Sequence, residues 1–287
     1  MPELPDLLYI REYLRTNVVP RTISEVGIKQ PVVLRTTLGE PFDESIRNRQ
    51  IEDVRIRGPF LHFLLSGDRD LILNLMLAGR LQHQHEGERP EGYLCCSFHL
   101  DDGTKLNLCD STIMAKVYSS SRNSIHLIPR FSNQGVDISS AAFTPEVFVS
   151  LTSRHRRKQV RVFLTDQTIV SAIGNAYADE ILFDARIHPK TFIAQLSSTQ
   201  LEQLYSSIIG VLHWATGEVR KAAQPIHMKV RDHLRVRNRK EMPCPRCGTT
   251  IRREGVRGHD VFFCPNCQPP TRRHFLDWRN LDIEKRS

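Results

Sequence analysis

The chain has 287 residues, of which 40% are hydrophobic and 25% charged, a composition typical of globular proteins that excludes a fibrous repeat or a wholly disordered chain. Its longest apolar run, residues 71–78, is interrupted by Asn74 and is far shorter than the roughly 20 residues of a membrane span. The net charge of +8 is concentrated in residues 220–286, where 17 Lys and Arg stand against 7 Asp and Glu, which favours a nucleic-acid partner over a merely solubilising surface.

The beginning of the chain matches neither a signal peptide nor an Arg-rich transit peptide, so we expect a cytoplasmic protein without a membrane partner. The first predicted element is a helix, because Leu7, Ile10 and Leu14 recur at helical spacing and Pro5 suits a helix start. The opening Met-Pro-Glu therefore lies just ahead of a helix N-terminus.

A region of short strands follows, from about residue 22 to residue 129. Its clearest apolar runs are 60–65, 71–77 and 94–100, and turn clusters such as Ser66-Gly67-Asp68 separate them. This pattern predicts an antiparallel β-sandwich or barrel. Three cysteines in these strands, Cys95, Cys96 and Cys109, have no motif spacing and are predicted to be buried, inert thiols.

Helical periodicity then dominates from residue 144 to about 231. We predict helices over 145–151, 158–173, 176–186 and 198–221, followed by a basic linker over 229–242. The chain is therefore predicted to be an α+β multidomain protein. Its parts are an N-terminal β-sandwich with a leading helix (1–135), a helical domain (144–231) and a C-terminal segment (232–287).

The C-terminal segment contains four cysteines in two Cys-x-x-Cys pairs, Cys244 with Cys247 and Cys264 with Cys267, separated by 16 residues. Two such knuckles bring four thiolates to one zinc ion, whereas a disulfide framework is not expected without a secretion signal. Four protein ligands leave no open coordination position, so we predict one structural zinc. The basic segment between the knuckles, with strand-like ends, predicts a β-hairpin able to enter a DNA groove.

Three separated motifs now coincide: the start MPELP, the segment GNAYADEILFDARIHP over 174–189, and the cysteine finger. In this order they resemble the formamidopyrimidine-DNA glycosylase / endonuclease VIII family over essentially the whole chain. The resemblance implies that the helical part is a helix-two-turn-helix domain and that DNA lies in the cleft between the two halves of the protein. It also implies base-excision repair, with a DNA glycosylase that cleaves abasic sites.

The chemistry of the chain start follows from its residues. Removal of Met1, which a small following residue permits, would leave the secondary amine of Pro2 at the N-terminus. An α-amine has an ordinary pKa of about 8, so a useful fraction is unprotonated near neutral pH. Such an amine can attack C1′ of a damaged nucleoside, expel the base and leave an iminium ion that promotes β-elimination. Glu3 beside it is a candidate general acid for opening the sugar ring.

The resemblance also implies DNA contacts. Asn175, at the turn that opens the next helix, matches the family residue that holds a DNA phosphate, although a simple helix cap is compatible with the same position. Arg161 occupies a place where many family members carry a basic residue near the lesion pocket; a solvated or phosphate-facing stripe following the basic run 154–158 is the alternative. Met76 stands where the family often has a methionine that fills the duplex.

Several positions depart from the family pattern. Pro59 stands where the family has a lysine that contacts phosphate and transfers protons. The usual Asp-Pro-Arg-Arg-Phe-Gly loop reads Asp-Ser-Thr-Ile-Met-Ala over 110–115, in which Ile113 and Met114 could still form an apolar wedge. His259 replaces the arginine of the finger hairpin, with Arg257 two residues earlier. These changes predict an altered substrate and mainly β-elimination, with weaker discrimination of the base opposite the lesion.

Two functions are compatible with these residues. The first is a bifunctional glycosylase and abasic-site lyase, acting as a monomer on damaged or abasic DNA, and the pair Pro2 and Glu3 favours it. The second is a non-catalytic binder of damaged DNA that kept the fold and lost turnover together with the lysine and the hairpin arginine.

Overall fold

The computed structural model describes residues 1–85 and 87–271. The last part of the predicted basic C-terminal segment, residues 272–287, lies outside the described residues. The helices are α1 (Leu4–Asn17), α2 (Phe42–Ile46), α3 (Pro145–Arg154), α4 (Val160–Thr165), α5 (Asn175–Asp184) and α6 (Ser198–Ala222). Short 3-10 turns span Pro31–Val33, Arg122–Leu127 and Ile193–Gln195. None of the helices in the described ranges is long and apolar enough to cross a membrane.

Nine strands form the N-terminal sheet: β1 (Thr22–Ile28), β2 (Leu34–Thr36), β3 (Arg49–Arg57), β4 (Phe60–Leu65), β5 (Arg69–Asn74), β6 (Arg80–Gln84), β7 (Leu94–Leu100), β8 (Lys105–Cys109) and β9 (Lys116–Ser121). Their spatial order is β2-β9-β5-β4-β3-β1-β7-β8-β6. All neighbours pair antiparallel except β2 and β9, which are parallel. The two halves are joined at β1 and β3, and apolar residues of both halves share one buried core, so the predicted β-sandwich is confirmed.

The leading helix α1 joins this sandwich to the helical part of the chain. Its apolar stripe of Leu4, Leu7, Ile10 and Leu14 is buried, and the helix packs against β3 and α6. The stripe follows the helical spacing read from the sequence, so the predicted helix is confirmed. Because α1 begins at the fourth residue, the packing of this helix fixes the N-terminus of the chain between the two halves.

The prediction of one helix over 158–173 is wrong beyond Thr165. Helix α4 ends at Thr165, and residues 166–174 form a turn followed by β11 (Val170–Ser171), which pairs with β10 (Val136–Asp137). The cause is Asp166, whose carboxylate accepts hydrogen bonds from the backbone N–H and the hydroxyl of Thr168 at 3.1 and 2.6 Å. Such a local turn competes with helix continuation.

Helix α5 confirms the helix predicted over 176–186, and α6 confirms the one over 198–221. Residues 185–197 between them form turns and a short 3-10 helix, which gives the predicted helix-two-turn-helix arrangement. Helix α6 begins with a capping box in which Ser197 and Gln200 bond reciprocally to each other's backbone N–H. The α5 side chains Ile181 and Leu182 are fully buried between these helices.

The C-terminal hairpin consists of β12 (Arg252–Val256) and β13 (His259–Phe263), which pair antiparallel along their whole length. The predicted finger hairpin is therefore confirmed, with its first strand starting slightly later than expected. The other three cysteines, Cys95, Cys96 and Cys109, are buried as predicted, and burial raises the pKa of each thiol. Thiols with raised pKa values react poorly because little thiolate forms.

Candidate active site

A cavity of about 470 Å³ opens between the N-terminal sheet, the start of α5 and the C-terminal hairpin. Five parts of the chain that are distant in sequence converge on it. They are the chain start, the loop after β5, the α4–α5 connection, the basic linker and the hairpin. The lining residues are Met1, Glu3, Leu77, Thr165, Gln167, Ile173, Gly174, Asn175, Ala176, Lys229, Arg231, Arg237, Asn238 and His259.

Glu3 lies at the floor of this cavity with its carboxylate on the N-terminus of α5. The carboxylate accepts hydrogen bonds at 3.0 Å from the backbone N–H groups of Gly174, Ala176 and Tyr177. A helix N-terminus has unpaired N–H groups and a positive end of its dipole, so it attracts an anionic side chain. Glu3 is only 5% exposed, and burial raises its pKa even though the N–H groups of Tyr177 and Ala176 oppose the shift.

The start of α5 requires glycine at position 174, because there is no room there for a side chain. A Cβ at this position would lie 2.5 Å from Cδ and 2.6 Å from Oε1 of Glu3. Those separations are well inside van der Waals contact and fall on a buried side chain that cannot swing away. The Gly-Asn sequence at this turn is therefore a close-approach site for the carboxylate.

The N-terminal amine lies at the same cavity. In the described chain this amine belongs to Met1, and it donates to the backbone carbonyl of Leu77 at 3.2 Å. Burial and, after it, the neighbouring Lys229 lower the pKa of the amine to about 5, while Glu3 opposes the shift. Pro2 is buried and carries an amide here, so it becomes the terminal amine only when Met1 is removed.

Asn175 faces the cavity with a fixed side-chain orientation. Its Oδ1 accepts a hydrogen bond from Nη2 of Arg161 at 3.0 Å, so the NH₂ group is left to donate. Arg161 is only 1% exposed and its Nε donates to Asp179 at 3.2 Å. The solvated stripe considered for Arg161 is wrong, because the side chain is buried behind Asn175 as part of an ion pair and does not lie on the surface.

Arg237 is a second cation beside Asn175. Its Nη1 donates to Asp179 and to the backbone carbonyl of Asp260, both at 2.8 Å. Its guanidinium also stacks on Phe262, 4.9 Å from the ring centroid. These contacts fix Arg237 beneath His259, which lines the cavity from the hairpin.

Four of the other sequence-predicted residues lie outside the residues that line this cavity. Arg257 is at the exposed turn of the hairpin and lines a separate cavity of about 290 Å³. Met76 is half-buried, and Leu77 beside it is 63% exposed. Ile113 packs partly against the core, whereas Met114 is 42% exposed. An apolar wedge would therefore rely on Met114 and Leu77 more than on Ile113.

The loop that carries Met114 is organised by Asp110. Its carboxylate accepts backbone hydrogen bonds from Thr112, Met114 and Ala115 at 2.7–2.9 Å. Burial alone would raise the pKa of Asp110, yet these hydrogen bonds together lower it. Asp110 thus shapes this loop, although the residues after it differ from the Asp-Pro-Arg-Arg-Phe-Gly pattern of the family that the sequence resembles.

Pro59 occupies the two-residue turn between β3 and β4. Arg57 pairs directly with Phe60 across the turn, and Gly58 has a φ of 54°, as the first central residue of such a hairpin turn requires. Pro59 itself is buried, and it has neither charge nor N–H. This turn therefore brings no cation to the site.

The four cysteines of the finger converge as predicted. Their Sγ atoms all lie within 4.8 Å of one another, and three of the pairs are 3.4, 3.5 and 3.9 Å apart. A tetrahedron with Zn–S bonds of about 2.3 Å has S–S edges of about 3.8 Å. The backbone N–H groups of Arg246 and Cys267 point at the sulfurs of Cys244 and Cys264. The thiolates Cys244, Cys247, Cys264 and Cys267 thus hold one structural zinc.

The finger is anchored to the C-terminal end of α5. Arg246 donates to the carbonyl of Phe183 at 3.0 Å and stacks on the same ring, 4.3 Å from its centroid. Gln268 is fully buried and joins the backbone of Cys264 to that of Ile187. The hairpin is therefore held in a fixed position relative to the cavity.

The sequence analysis missed several residues of the cavity. Lys229, Arg231 and Arg237 belong to the segment interpreted only as a basic linker. Thr165 ends α4 and Gln167 lies in the turn after it, whereas one helix is predicted over both residues. The run of basic residues in the linker was the only sequence signal for the cations of this cavity. It could not indicate which of the linker cations turn inward, since that depends on partners such as Asp6, which binds Arg231 through both carboxylate oxygens.

Comparisons with known proteins agree with this geometry. Residues 1–117 match the formamidopyrimidine-DNA glycosylase N-terminal domain, residues 135–224 the formamidopyrimidine-DNA glycosylase H2TH domain, and residues 243–270 a zinc finger found in FPG and IleRS. A formamidopyrimidine-DNA glycosylase of Symbiobacterium thermophilum is 34% identical over 94% of this chain and 90% of its own length. That of Geobacillus kaustophilus is 32% identical over 93% of this chain and 100% of its own.

Solved structures are similar over the same extent. The MutM (Fpg) protein of Thermus thermophilus has a TM-score of 0.81 and 28% identity, covering 93% of this chain and 98% of its own. The Lactococcus lactis Fpg bound to DNA with an oxidised pyrimidine has a TM-score of 0.84 and 25% identity, covering 94% and 100%. The similarity therefore extends across the sandwich, the helical domain and the finger, in the same order along the chain.

The contact between Gly174 and Glu3 yields a test of the site. Gly174→Ala should destabilise the protein by about 2 kcal/mol or more, because the new Cβ displaces a buried, hydrogen-bonded carboxylate. The matched control is Gly210→Ala in α6, where a Cβ would meet nothing within 4 Å. That control should leave stability unchanged or raise it by up to about 1 kcal/mol. Equal unfolding midpoints in urea for Gly174→Ala and the parent would contradict the assignment.

Removing one zinc ligand should separate the finger from the rest of the fold. Cys264→Ser is expected to lose the metal and most of the DNA affinity, while the β-sandwich remains folded, because the apolar cluster of the finger is separate from the core that the sandwich shares with the helices. Zinc content by elemental mass spectrometry, DNA binding and circular dichroism measure the three effects. Cys109→Ala, in a strand far from the finger in sequence, should keep one zinc per chain. Full DNA affinity in the zinc-free variant would refute this prediction.

Proposed function

Since the chain belongs to the formamidopyrimidine-DNA glycosylase family, it is a DNA glycosylase, and we propose that the amine of Pro2 is its nucleophile and Glu3 its general acid. The amine lone pair attacks C1′ of the damaged nucleotide, the bond from C1′ to the base breaks with its electron pair, and the proton lost by the amine nitrogen goes to the departing base. Glu3 then protonates the ring oxygen O4′ as the C1′–O4′ bond opens, which leaves an iminium ion. Loss of a C2′ proton and departure of the 3′ phosphate complete a β-elimination.

The observation that carries this proposal is the environment of Glu3. A carboxyl group whose pKa burial raises holds its proton closer to neutral pH, which is what a general acid needs. Glu3 and Met1 line one cavity, and Pro2 lies between them in the chain, so we expect a nucleotide there to reach both the carboxyl group and the amine that removal of Met1 leaves on Pro2. The three N–H groups of α5 hold the carboxyl in place.

We propose that the hydrogen-bond donors around Glu3 and the terminal amine bind the DNA backbone. Asn175 presents its NH₂ group to the cavity because Arg161 occupies its oxygen, and Arg237 and His259 lie alongside. We infer that these groups hold phosphates next to the extruded nucleotide, with Arg161 acting through Asn175. Fpg of Lactococcus lactis has been solved with DNA containing an abasic site or an oxidised pyrimidine, and we propose damaged or abasic DNA as the partner here.

The substrate is proposed to differ from that of relatives with the arginine loop. Over 110–115 this chain offers Met114 as an exposed apolar group in place of the family's arginine and aromatic ring. An apolar side chain fills a gap in the duplex without reading hydrogen-bond donors on the opposite base. Excision should therefore depend weakly on the base opposite the lesion.

Borohydride trapping tests the nucleophile and the acid together. With protein whose mass shows removal of Met1, abasic DNA should give a covalent adduct on borohydride addition. Glu3→Gln should lower excision of a damaged base by about 10²-fold or more, because an amide cannot supply the proton. Glu3→Gln should lower the cleavage of a preformed abasic site by a smaller factor, because a fraction of abasic sugars is already in the ring-opened form.

Two further variants locate the amine. Pro2→Gly should keep part of the adduct because glycine still supplies an α-amine, whereas one extra residue before Pro2 should abolish it. Absence of any adduct with every damaged or abasic substrate would favour the binding-only function. An adduct that maps to another residue would overturn the role of Pro2.

The products at the 3′ end test the effect of Pro59. A second, δ-elimination step needs further proton handling at the 5′ phosphate, and Pro59 provides none. Abasic DNA should therefore yield mainly the unsaturated aldehyde of β-elimination, and Pro59→Lys should raise the share of 3′ phosphate several-fold. Gel separation of the two ends measures the ratio. Pro59→Ala is the control for loss of the rigid turn, and a predominance of 3′ phosphate in the parent protein would contradict this prediction.

A further inference from the structure

Lys229 reaches into the active site from the linker that follows α6. Its Nζ lies 3.5 Å from the backbone carbonyl oxygen of Leu77, the same oxygen that accepts from the N-terminal amine at 3.2 Å. Two amines that share one acceptor are close neighbours. The lysine therefore lies beside the Met1 amine, one residue before the nitrogen of Pro2 that the proposed mechanism uses as nucleophile once Met1 is removed.

The surroundings of Lys229 do not neutralise its charge. Within residues 1–85 and 87–271, no carboxylate forms an ion pair with Lys229. Asp6, whose charge acts on Lys229, is bound through both oxygens to Arg231, at 2.6 and 2.8 Å. Arg80 adds another positive charge, and Lys229 is itself half-buried. A cation in this position acts on its neighbours with little screening by solvent.

The linker geometry fixes this position. Arg231 is anchored by Asp6 of α1 and lies over the ring of Tyr177, 5.5 Å from its centroid. Lys229 is two residues away from that anchor, so its backbone cannot move far from the cavity. The side chain is thus held beside the amine by contacts that do not involve the amine.

We propose that Lys229 is a positioning residue that keeps the N-terminal amine of the site unprotonated and therefore nucleophilic. This inference rests on the proposed function, in which that amine attacks the sugar. An ammonium group beside a second amine disfavours a second positive charge. Of the two, the α-amine is the one that loses its proton, because an ordinary α-amine has a pKa of about 8 and an ordinary lysine about 10.4.

The electrostatic surroundings agree with this geometry. Burial, followed by the charge of Lys229, lowers the pKa of the Met1 amine to about 5, with Arg80 acting in the same sense and Glu3 opposing. Burial and Arg80 also lower the pKa of Lys229, while Asp6 opposes that shift. An amine with a lowered pKa is unprotonated above that pKa and gains its proton only as the pH falls through it. We expect the same neighbouring charges to act on the amine of Pro2 once Met1 is removed, so that this amine stays unprotonated well below pH 8.

Trace labelling with acetic anhydride tests the inference on the full-length protein with Met1 removed and without DNA. The rate of acetylation of the terminal amine, measured against pH by peptide mass spectrometry, gives its pKa directly. Lys229→Met should raise that pKa by about one unit, so that about tenfold less free amine remains on the acid side. Lys229→Arg should keep the low value, because the charge is retained.

Controls separate this effect from a general disturbance. Lys221→Met removes an exposed lysine at the end of α6 and should leave the pKa of the amine unchanged. Thermal unfolding checks that each variant is folded, and Lys229→Gln provides a second neutral side chain. An ordinary pKa near 8 in the parent protein, or equal values in the parent, Lys229→Met and Lys229→Gln, would overturn the proposal.

Borohydride trapping on abasic DNA across the same pH range then connects the amine to catalysis. The acid limb of adduct formation should move to higher pH in Lys229→Met and stay in place in Lys229→Arg. A low pKa by labelling without any adduct would overturn the proposed function and support the role of Lys229 in setting the amine. A failure of the proposed function can therefore be distinguished from a failure of the role proposed for Lys229.

Discussion

The carboxylate of Glu3 on the N-terminus of α5 is the interaction on which the site depends. It joins the third residue of the chain to a helix that begins at residue 175, so the chain start cannot take another position without leaving three N–H groups unpaired. Burying such groups without partners would cost several kcal/mol. One contact thereby closes the N-terminal sheet onto the helical domain, forms the floor of the cavity and holds the carboxyl group of Glu3 at the same cavity as the N-terminal amine.

Charge is distributed around this contact in two layers. The inner layer is paired, since Asp179 binds both Arg161 and Arg237 and Asp6 binds Arg231. Paired arginines hold their places and orient their neighbours, as Arg161 does for Asn175. The outer layer, which includes Lys229 and His259 of the cavity, forms no ion pair within the part of the chain that the structure describes, and we expect it to meet phosphates. A polyanion therefore meets donors whose directions are already fixed, which lowers the entropic cost of binding.

The sequence predicted the parts of this protein that rest on local rules. Three such features depend only on residues that are close in the sequence. They are the cysteine spacing, the Gly174-Asn175 turn and the apolar stripe of α1. Arg161 shows the limit, because its basic neighbours suggest a surface stripe while its burial depends on Asp179 from a later helix. The segment 158–173 failed for a similar reason, since the turn at Asp166 overrides the apolar periodicity. Lys229 could not be distinguished from other linker cations without the position of Leu77.

Helix α5 is bound at both ends and along its sides, which limits how this protein can vary. Its ten residues span about 15 Å, with Glu3 at one end and Arg246 of the finger at the other. Between them, Glu180 accepts from the backbone of Val236 and Arg237. One inserted residue would rotate everything beyond it by about 100° and shift it by about 1.5 Å. Relatives can therefore differ in loop length on either side of α5, but a viable insertion or deletion within it would have to come as a whole turn with a rebuilt finger.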